Sequence, residues 1–164
     1  MNPTTTTLIE MLQDEKYEAL GVKLNPPAPR SEIEYLEKIL ERRLPPDLRD
    51  FYLSVNGFET DDDMFRVIPV HEVIEYKLHL HTPRINFAEY MIYCDTWDLM
   101  LDQEGKDRYA IVNRDPEKER DVVLTNSIYE FLERYLENGG MRGEFGLISW
   151  CDRLKSKQSR GFQE

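Results

Sequence analysis

Cysteine is nearly absent: Cys94 and Cys151 are the only two in 164 residues, and they lie far apart. That excludes a disulfide framework and CxxC metal spacing, so both read as free thiols. Long apolar runs are missing as well. None approaches the roughly 18 residues that a membrane span needs. Residues Met1 to Thr7 lack the basic start and apolar stretch of a signal peptide, so the expected compartment is the cytoplasm. Glycine-rich phosphate loops are absent too. The one Gly-Gly pair, Gly139-Gly140, follows an apolar helical stripe, whereas a phosphate cradle opens a helix. Basic charge is in short supply: 21 Lys and Arg stand against 32 Asp and Glu, for a net charge of −11. A field of that sign repels nucleic acid and anionic membrane surfaces. It speeds association with a basic partner. Only residues 151–164 reverse the balance, with four basic residues against two acids, and they read as a solvated end.

What is present suffices for a core. Apolar residues make up 40% of the chain, with Tyr 9, Phe 7 and Trp 2, in a length that suits one domain. Leu8, Met11 and Leu12 fall at helical spacing and predict a helix over 4–20, stopped by Gly21. Asn25-Pro26-Pro27-Ala28-Pro29 is a stiff extended connector. Ser31 to Arg43 reads as a helix opened by a Ser31/Glu34 capping box, with Ile33, Leu36 and Leu40 on one face. Pro46 or Asp47 opens a second helix, in which Leu48, Phe51, Tyr52 and Val55 repeat at i, i+3, i+4 and i+7. Asn56-Gly57 after such a stripe reads as a helix C-cap.

From Met64 the pattern becomes short and alternating. Phe65, Val67 and Ile68 suggest a strand, and His71 to Lys77 a single helical turn. Tyr90 to Cys94 reads as a strand. Trp97, Leu99 and Leu101 alternate with polar residues, and with Tyr109 to Val112 they form a hairpin across the 103–107 turn. Asn113 to Pro116 reads as a turn, and Asp121 to Leu124 as a strand. Ser127 and Glu130 have capping-box spacing before a helix whose stripe is Ile128, Phe131, Leu132, Tyr135 and Leu136, stopped by Asn138-Gly139-Gly140. The segment with Phe145, Leu147, Ile148 and Trp150 must pack, as strand or as helix. Strands joined by tight turns pair antiparallel, so the class is α+β.

Chemistry is hard to find. His79 and His81, on a strand, would share a face, but a third metal ligand is lacking and His71 stands alone. Glu59 with Asp61-Asp62-Asp63 does not match a calcium loop, which alternates its oxygen ligands around a central Gly. Ser54 and Ser149 have no G-x-S-x-G context. No catalytic residue, metal ligand or cofactor is therefore expected.

One block carries a resemblance. Ile33-x-x-Leu36-Glu37, Leu44-Pro45-Pro46-Asp47-Leu48, Phe51-Tyr52 and Asn56-Gly57-Phe58 resemble the core signature of the SUKH superfamily. Ile68-Pro69-Val70 with Val73, Phe87-Ala88-Glu89, the Tyr93 to Leu101 region, and Ser127-Ile128-Tyr129-Glu130-Phe131-Leu132 continue it, over about residues 30–137. That superfamily holds Smi/Knr-type fungal cell-wall regulators and bacterial toxin-immunity proteins. The resemblance implies a central twisted antiparallel sheet flanked by N-terminal helices and one C-terminal helix. It implies a non-catalytic protein-binding module, an immunity protein that neutralises a cognate toxin such as a nuclease. A regulatory scaffold is the alternative, and a small-molecule binder a third reading. The domain is expected to fill 1–164, with the 4–20 helix and the 141–164 extension added to the core. Partner-binding residues are expected in the acidic loop Glu59, Asp61, Asp62 and Asp63, together with Asp95, Asp98 and Asp102, facing a basic toxin.

Overall fold

A computed structural model describes residues 3–61, 64–79, 84–92, 94–104, 106–115 and 119–160. Asp62, Asp63 and His81 lie outside the described residues. Among the described residues, six α-helices and seven strands follow in the order α1 (Pro3–Leu12), β1 (Val22–Leu24), α2 (Arg30–Ile39), α3 (Pro46–Ser54), β2 (Phe58–Thr60), β3 (Phe65–Val67), α4 (Val70–His79), β4 (Arg84–Tyr90), β5 (Asp95–Leu101), β6 (Tyr109–Asp115), β7 (Arg120–Thr125), α5 (Ile128–Glu137) and α6 (Leu147–Arg160). The strands form one antiparallel sheet in sequence order, each paired with its neighbour in the chain. The fold is α+β, as the turn spacing implied.

Aromatic rings fill the space between the sheet and α5. Phe131 lies 5.7 Å from Phe87 and 6.0 Å from Trp97, while Phe65 stacks on Tyr135 at 4.3 Å. Such pairs add to the area burial of large side chains that are all almost fully buried here. In β5 the alternation holds: Trp97, Leu99 and Leu101 point into this core. The sequence outside the core signature also packs inward. Leu8 and Leu12 of α1 join the core, and Thr5 Oγ1 hydrogen-bonds Tyr129 Oη across α5. Leu147, Trp150 and Cys151 of α6 are buried as well.

Several elements differ from the sequence reading. The 4–20 helix breaks at Gln13-Asp14. Asp14 accepts the Lys16 amide at 2.9 Å and opens a separate 3-10 turn over Glu15–Leu20, closed by Gly21 at φ 59°. Helix α2 starts on the Pro29 carbonyl, so Ser31 sits inside it and the Ser31/Glu34 box does not form. It ends at Ile39 because Glu41 takes a left-handed conformation (φ 54°) and the amides of Glu41 and Arg42 return to the carbonyls of Lys38 and Glu37. The strand expected over 90–94 stops at its first residue: Tyr90 ends β4, Met91 and Ile92 are left-handed, and the Cys94 amide returns to the Tyr90 carbonyl in the β4–β5 turn. Asn113 to Asp115 belong to β6 rather than to a turn. His79 closes α4, a full ten-residue helix, and lies on no strand.

The end of the chain is not a frayed tail as far as Arg160. Helix α6 lies against β7, where the Arg120 guanidinium donates to the carbonyls of Lys155 and Gln158, and Gln158 Nε2 donates to the Val123 carbonyl at 3.3 Å. At the start of α5, Ser127 Oγ accepts the Glu130 amide at 3.3 Å, as capping requires. The Glu130 carboxylate, however, bonds Thr125 Oγ1 instead of the Ser127 amide, and Thr125 Oγ1 accepts that amide itself.

Candidate functional site

The sheet face away from α5 is built of charge. Pleating turns Lys23, Glu59, Arg66 and Glu89 to this face, and the strand register sets them side by side across β1 to β4. Opposite charges alternate along this row, a cross-strand arrangement that stabilises a sheet by about 0.2–1 kcal/mol per pair. Arg66 is its centre. Its Nε lies 2.5 Å from Glu89, and its two terminal nitrogens hold Glu72 of α4 at 2.8 and 2.9 Å. Glu89 is 3% exposed, and its second oxygen has no hydrogen-bond partner among the described residues.

A second guanidinium organises the next rows. Arg84 donates to Asp98 at 2.9 Å and grips both oxygens of Asp121 at 2.8 and 3.1 Å. Asn86 donates to the other oxygen of Asp98 at 3.0 Å, so both Asp98 oxygens are engaged. Between Asn86 and Ala88 the β4–β5 register shifts by a bulge, which turns Phe87 into the core and leaves Asn86 on the outer face.

The sequence-nominated acids therefore occupy three places. Glu59 is exposed on β2, and Asp61 follows at the turn beyond it, where Lys23 approaches to 2.6 Å. Asp95 starts β5 at the same end of the sheet, its carboxylate taking the Asn113 amide group at 3.1 Å. Asp98 lies in mid-sheet under Arg84. Asp102 lies at the opposite end, beyond β5. There the Glu104 amide, followed by the Arg108 guanidinium, holds the Asp102 carboxyl below the usual carboxylate range.

Spacing along the chain could not reveal this division, because the partners come from other strands. It also missed Met64, Met91 and Ile92. These three are exposed, and they sit on the turns that begin or end beside Asp61 and Asp95. The only sequence signal was negative: neither turn carries the Gly, Asn or Pro that would be expected there, apart from the acids at 61–63.

At the far end, Tyr109 joins two helix starts. Its hydroxyl donates to Asp47 of α3 and accepts the Ile128 amide of α5 at 2.8 Å. Burial pushes this phenol above its ordinary range, so it stays protonated. A shallow cleft of about 310 Å3 beside it is lined by Pro46, Asp47, Asp107, Arg108, Tyr109 and Asn126. Among the described residues, no three of His, Cys, Asp or Glu gather as metal ligands. No helix among them is long and apolar enough to cross a membrane.

The signature residues have structural tasks in this arrangement. Leu44, Leu48, Phe51 and Tyr52 are buried, Asp47 in the first turn of α3 accepts the Leu48 amide, and Gly57 has φ 75°. A family model described as SMI1 / KNR4 family (SUKH-1) matches residues 27–141. The chain belongs to the SUKH-1 family. No curated protein matches the chain at a significant level. The SUKH-1 match spans α2 through α5 with β2 to β7, and leaves α1, β1 and α6 outside it. Apart from Lys23 on β1, the outer-face charges lie within the matched span, as do the exposed turn residues Met64, Met91 and Ile92.

Proposed function

We propose that this SUKH-1 protein acts by binding another protein rather than by catalysis, and that its partner is a toxin encoded beside it, which it neutralises. The disposition of charge carries this reading. The carboxylates that a reaction would need in a shielded place, Glu89 and Asp98, are tied to Arg66 and Arg84. Glu59 and Asp61 remain exposed beside an acidic turn, in a chain whose net charge is −11. Exposed acids of this kind steer a basic surface toward the protein without a large stability contribution. Membership in SUKH-1 is consistent with this reading, since toxin-immunity proteins occur in the family.

Co-expression tests it. Induction of the neighbouring gene product should arrest growth, and this chain should restore growth and form a complex that survives gel filtration. Growth arrest without rescue, and without a complex, would refute the immunity reading. Binding to several unrelated cellular proteins instead would assign the chain to regulatory scaffolds.

A further inference from the structure

Three large apolar residues sit on backbone that disfavours them. Met64, Met91 and Ile92 have φ of 49°, 48° and 50°, in the left-handed region that non-glycine residues avoid. A β-branched residue such as Ile92 is the least suited of all. The same side chains are 53%, 37% and 84% exposed. They are also together: the Met91 amide donates to the Met64 carbonyl at 3.1 Å, which joins the β2–β3 and β4–β5 turns at one end of the sheet. Turns chosen for folding favour Gly, Asn or Asp at such positions, as at Gly57 and Gly139, and the other left-handed non-glycine residues among those described, Glu41 and Glu119, are polar rather than apolar. Here the strain is kept and the apolar surface is not buried within the chain. Backbone strain that brings the fold no burial points to a function.

We infer that Met64, Met91 and Ile92 form the docking surface for a basic protein partner that presents an apolar pocket rimmed by Lys or Arg. The partner's identity as a toxin rests on the function proposed above; the surface does not. Charge selects this occupant. Asp61, with its side chain 57% exposed, precedes the Met64 turn, and Asp95 follows the Ile92 turn. Lys23 is paired with Asp61, and on the flank Arg142 donates to Tyr90 Oη at 2.7 Å. An anionic membrane would meet repulsion from a chain of net charge −11. A second copy would set one net charge of −11 against another. A basic protein gains both attraction at the rim and burial at the centre, the usual anatomy of an interface with an apolar anchor.

The test uses the full chain, isotopically labelled, and a synthetic amphipathic peptide of Leu and Lys as probe. The amide resonances of Met64, Met91 and Ile92 should shift on titration, and a Met91→Ser/Ile92→Asn variant should bind at least about tenfold more weakly. Asn tolerates the left-handed turn, so the single Ile92→Asn variant should melt at or above the wild-type temperature. A lower melting temperature would show that Ile92 serves the fold, and would overturn the inference. So would shifts centred on Arg84 and Asp98, equal shifts with a Gly-Lys control peptide, or no shifts. Binding to phosphatidylglycerol vesicles, or self-association, that is abolished by Ile92→Asn would replace the partner with a membrane or a second copy.

The purified neighbouring gene product separates the two proposals. If it binds wild type and the double variant equally, the docking surface is wrong and the immunity reading stands. If it does not bind at all, the immunity reading fails and the peptide titration alone decides the surface.

Discussion

The side-chain oxygen of Asn56 accepts the amide of Val70 at 2.8 Å, so a residue that follows α3 caps the first turn of α4. The rest of Asn56 is tied down as well: its amide donates to the Pro26 carbonyl, and its carbonyl accepts Asn25 Nδ2. Three chain segments meet at this one residue. Asn56→Ala should cost about 1–3 kcal/mol, because a buried amide loses its partner. Asn56→Asp should recover part of that, since an acceptor at a helix start remains and its charge suits the dipole. Denaturant melts of the three proteins check it; an Ala variant as stable as wild type would remove Asn56 from this role.

Gly57, next in sequence, is constrained twice. Its φ is 75°, and a Cβ there would lie 2.2 Å from the Val67 carbonyl oxygen. Gly57→Ala should therefore cost about 2 kcal/mol or more, from backbone strain together with overpacking against β3. Gly139 is also left-handed, but the nearest atom to a Cβ there is 3.6 Å away. Gly139→Ala should be milder, and equal losses at the two sites would contradict the close approach of β3.

The two thiols should react differently. Cys94 is exposed, whereas Cys151 is buried and burial pushes its thiol up to about 11. Only a thiolate attacks a disulfide reagent, so Cys151 is protected both by access and by protonation. Native protein should release one equivalent of thiol chromophore quickly, and unfolded protein two. Rapid release of two from the native state would mean that α6 does not hold Cys151 against the core.

Asp102 gives stability a dependence on pH. Its folded carboxyl titrates below its unfolded value of 3.8, so its contribution is fully present above that value and is lost as pH falls through the folded one. The gap between wild type and Asp102→Asn should hold at neutral pH and narrow as pH falls below the unfolded value of 3.8. Urea melts across that range measure it, and a gap that widens in acid would reverse the sign.

The elements legible in the sequence were those whose signals are local. The stripe of Ile128, Phe131, Leu132 and Tyr135 with its Ser127 cap gave α5, and Trp97, Leu99 and Leu101 gave β5. Readings failed where closure from elsewhere overrode propensity. Tyr90 to Cys94 has strand composition, yet the antiparallel return of β5 requires a turn there. Ser31 and Glu34 had the right spacing, but the Pro29 carbonyl had already started the helix. Asn56-Gly57 looked like the cap of the helix before it. Its Asn caps the helix after β3 instead, a contact made across intervening residues that no spacing rule covers. The candidate acids were legible as a composition but not as a site, because Arg66 and Arg84 choose among them through the sheet register.

A sheet whose strands follow one another in a line has two open margins. At one, β1 offers only three residues. At the other, β7 is six residues long, and there α6 supplies the cover, with Gln158 bonded to the Val123 carbonyl and Arg120 bonded back to the helix. An uncovered strand margin is a template on which further copies can add and grow into fibres. The last helix, which the family signature does not include, thus acts as insulation against self-assembly. A truncation before Leu147 would expose the backbone of β7 and leave an apolar scar where Leu147, Trp150 and Cys151 had been. The consequence would be felt less in how the chain folds than in how high a concentration it can reach before it comes out of solution.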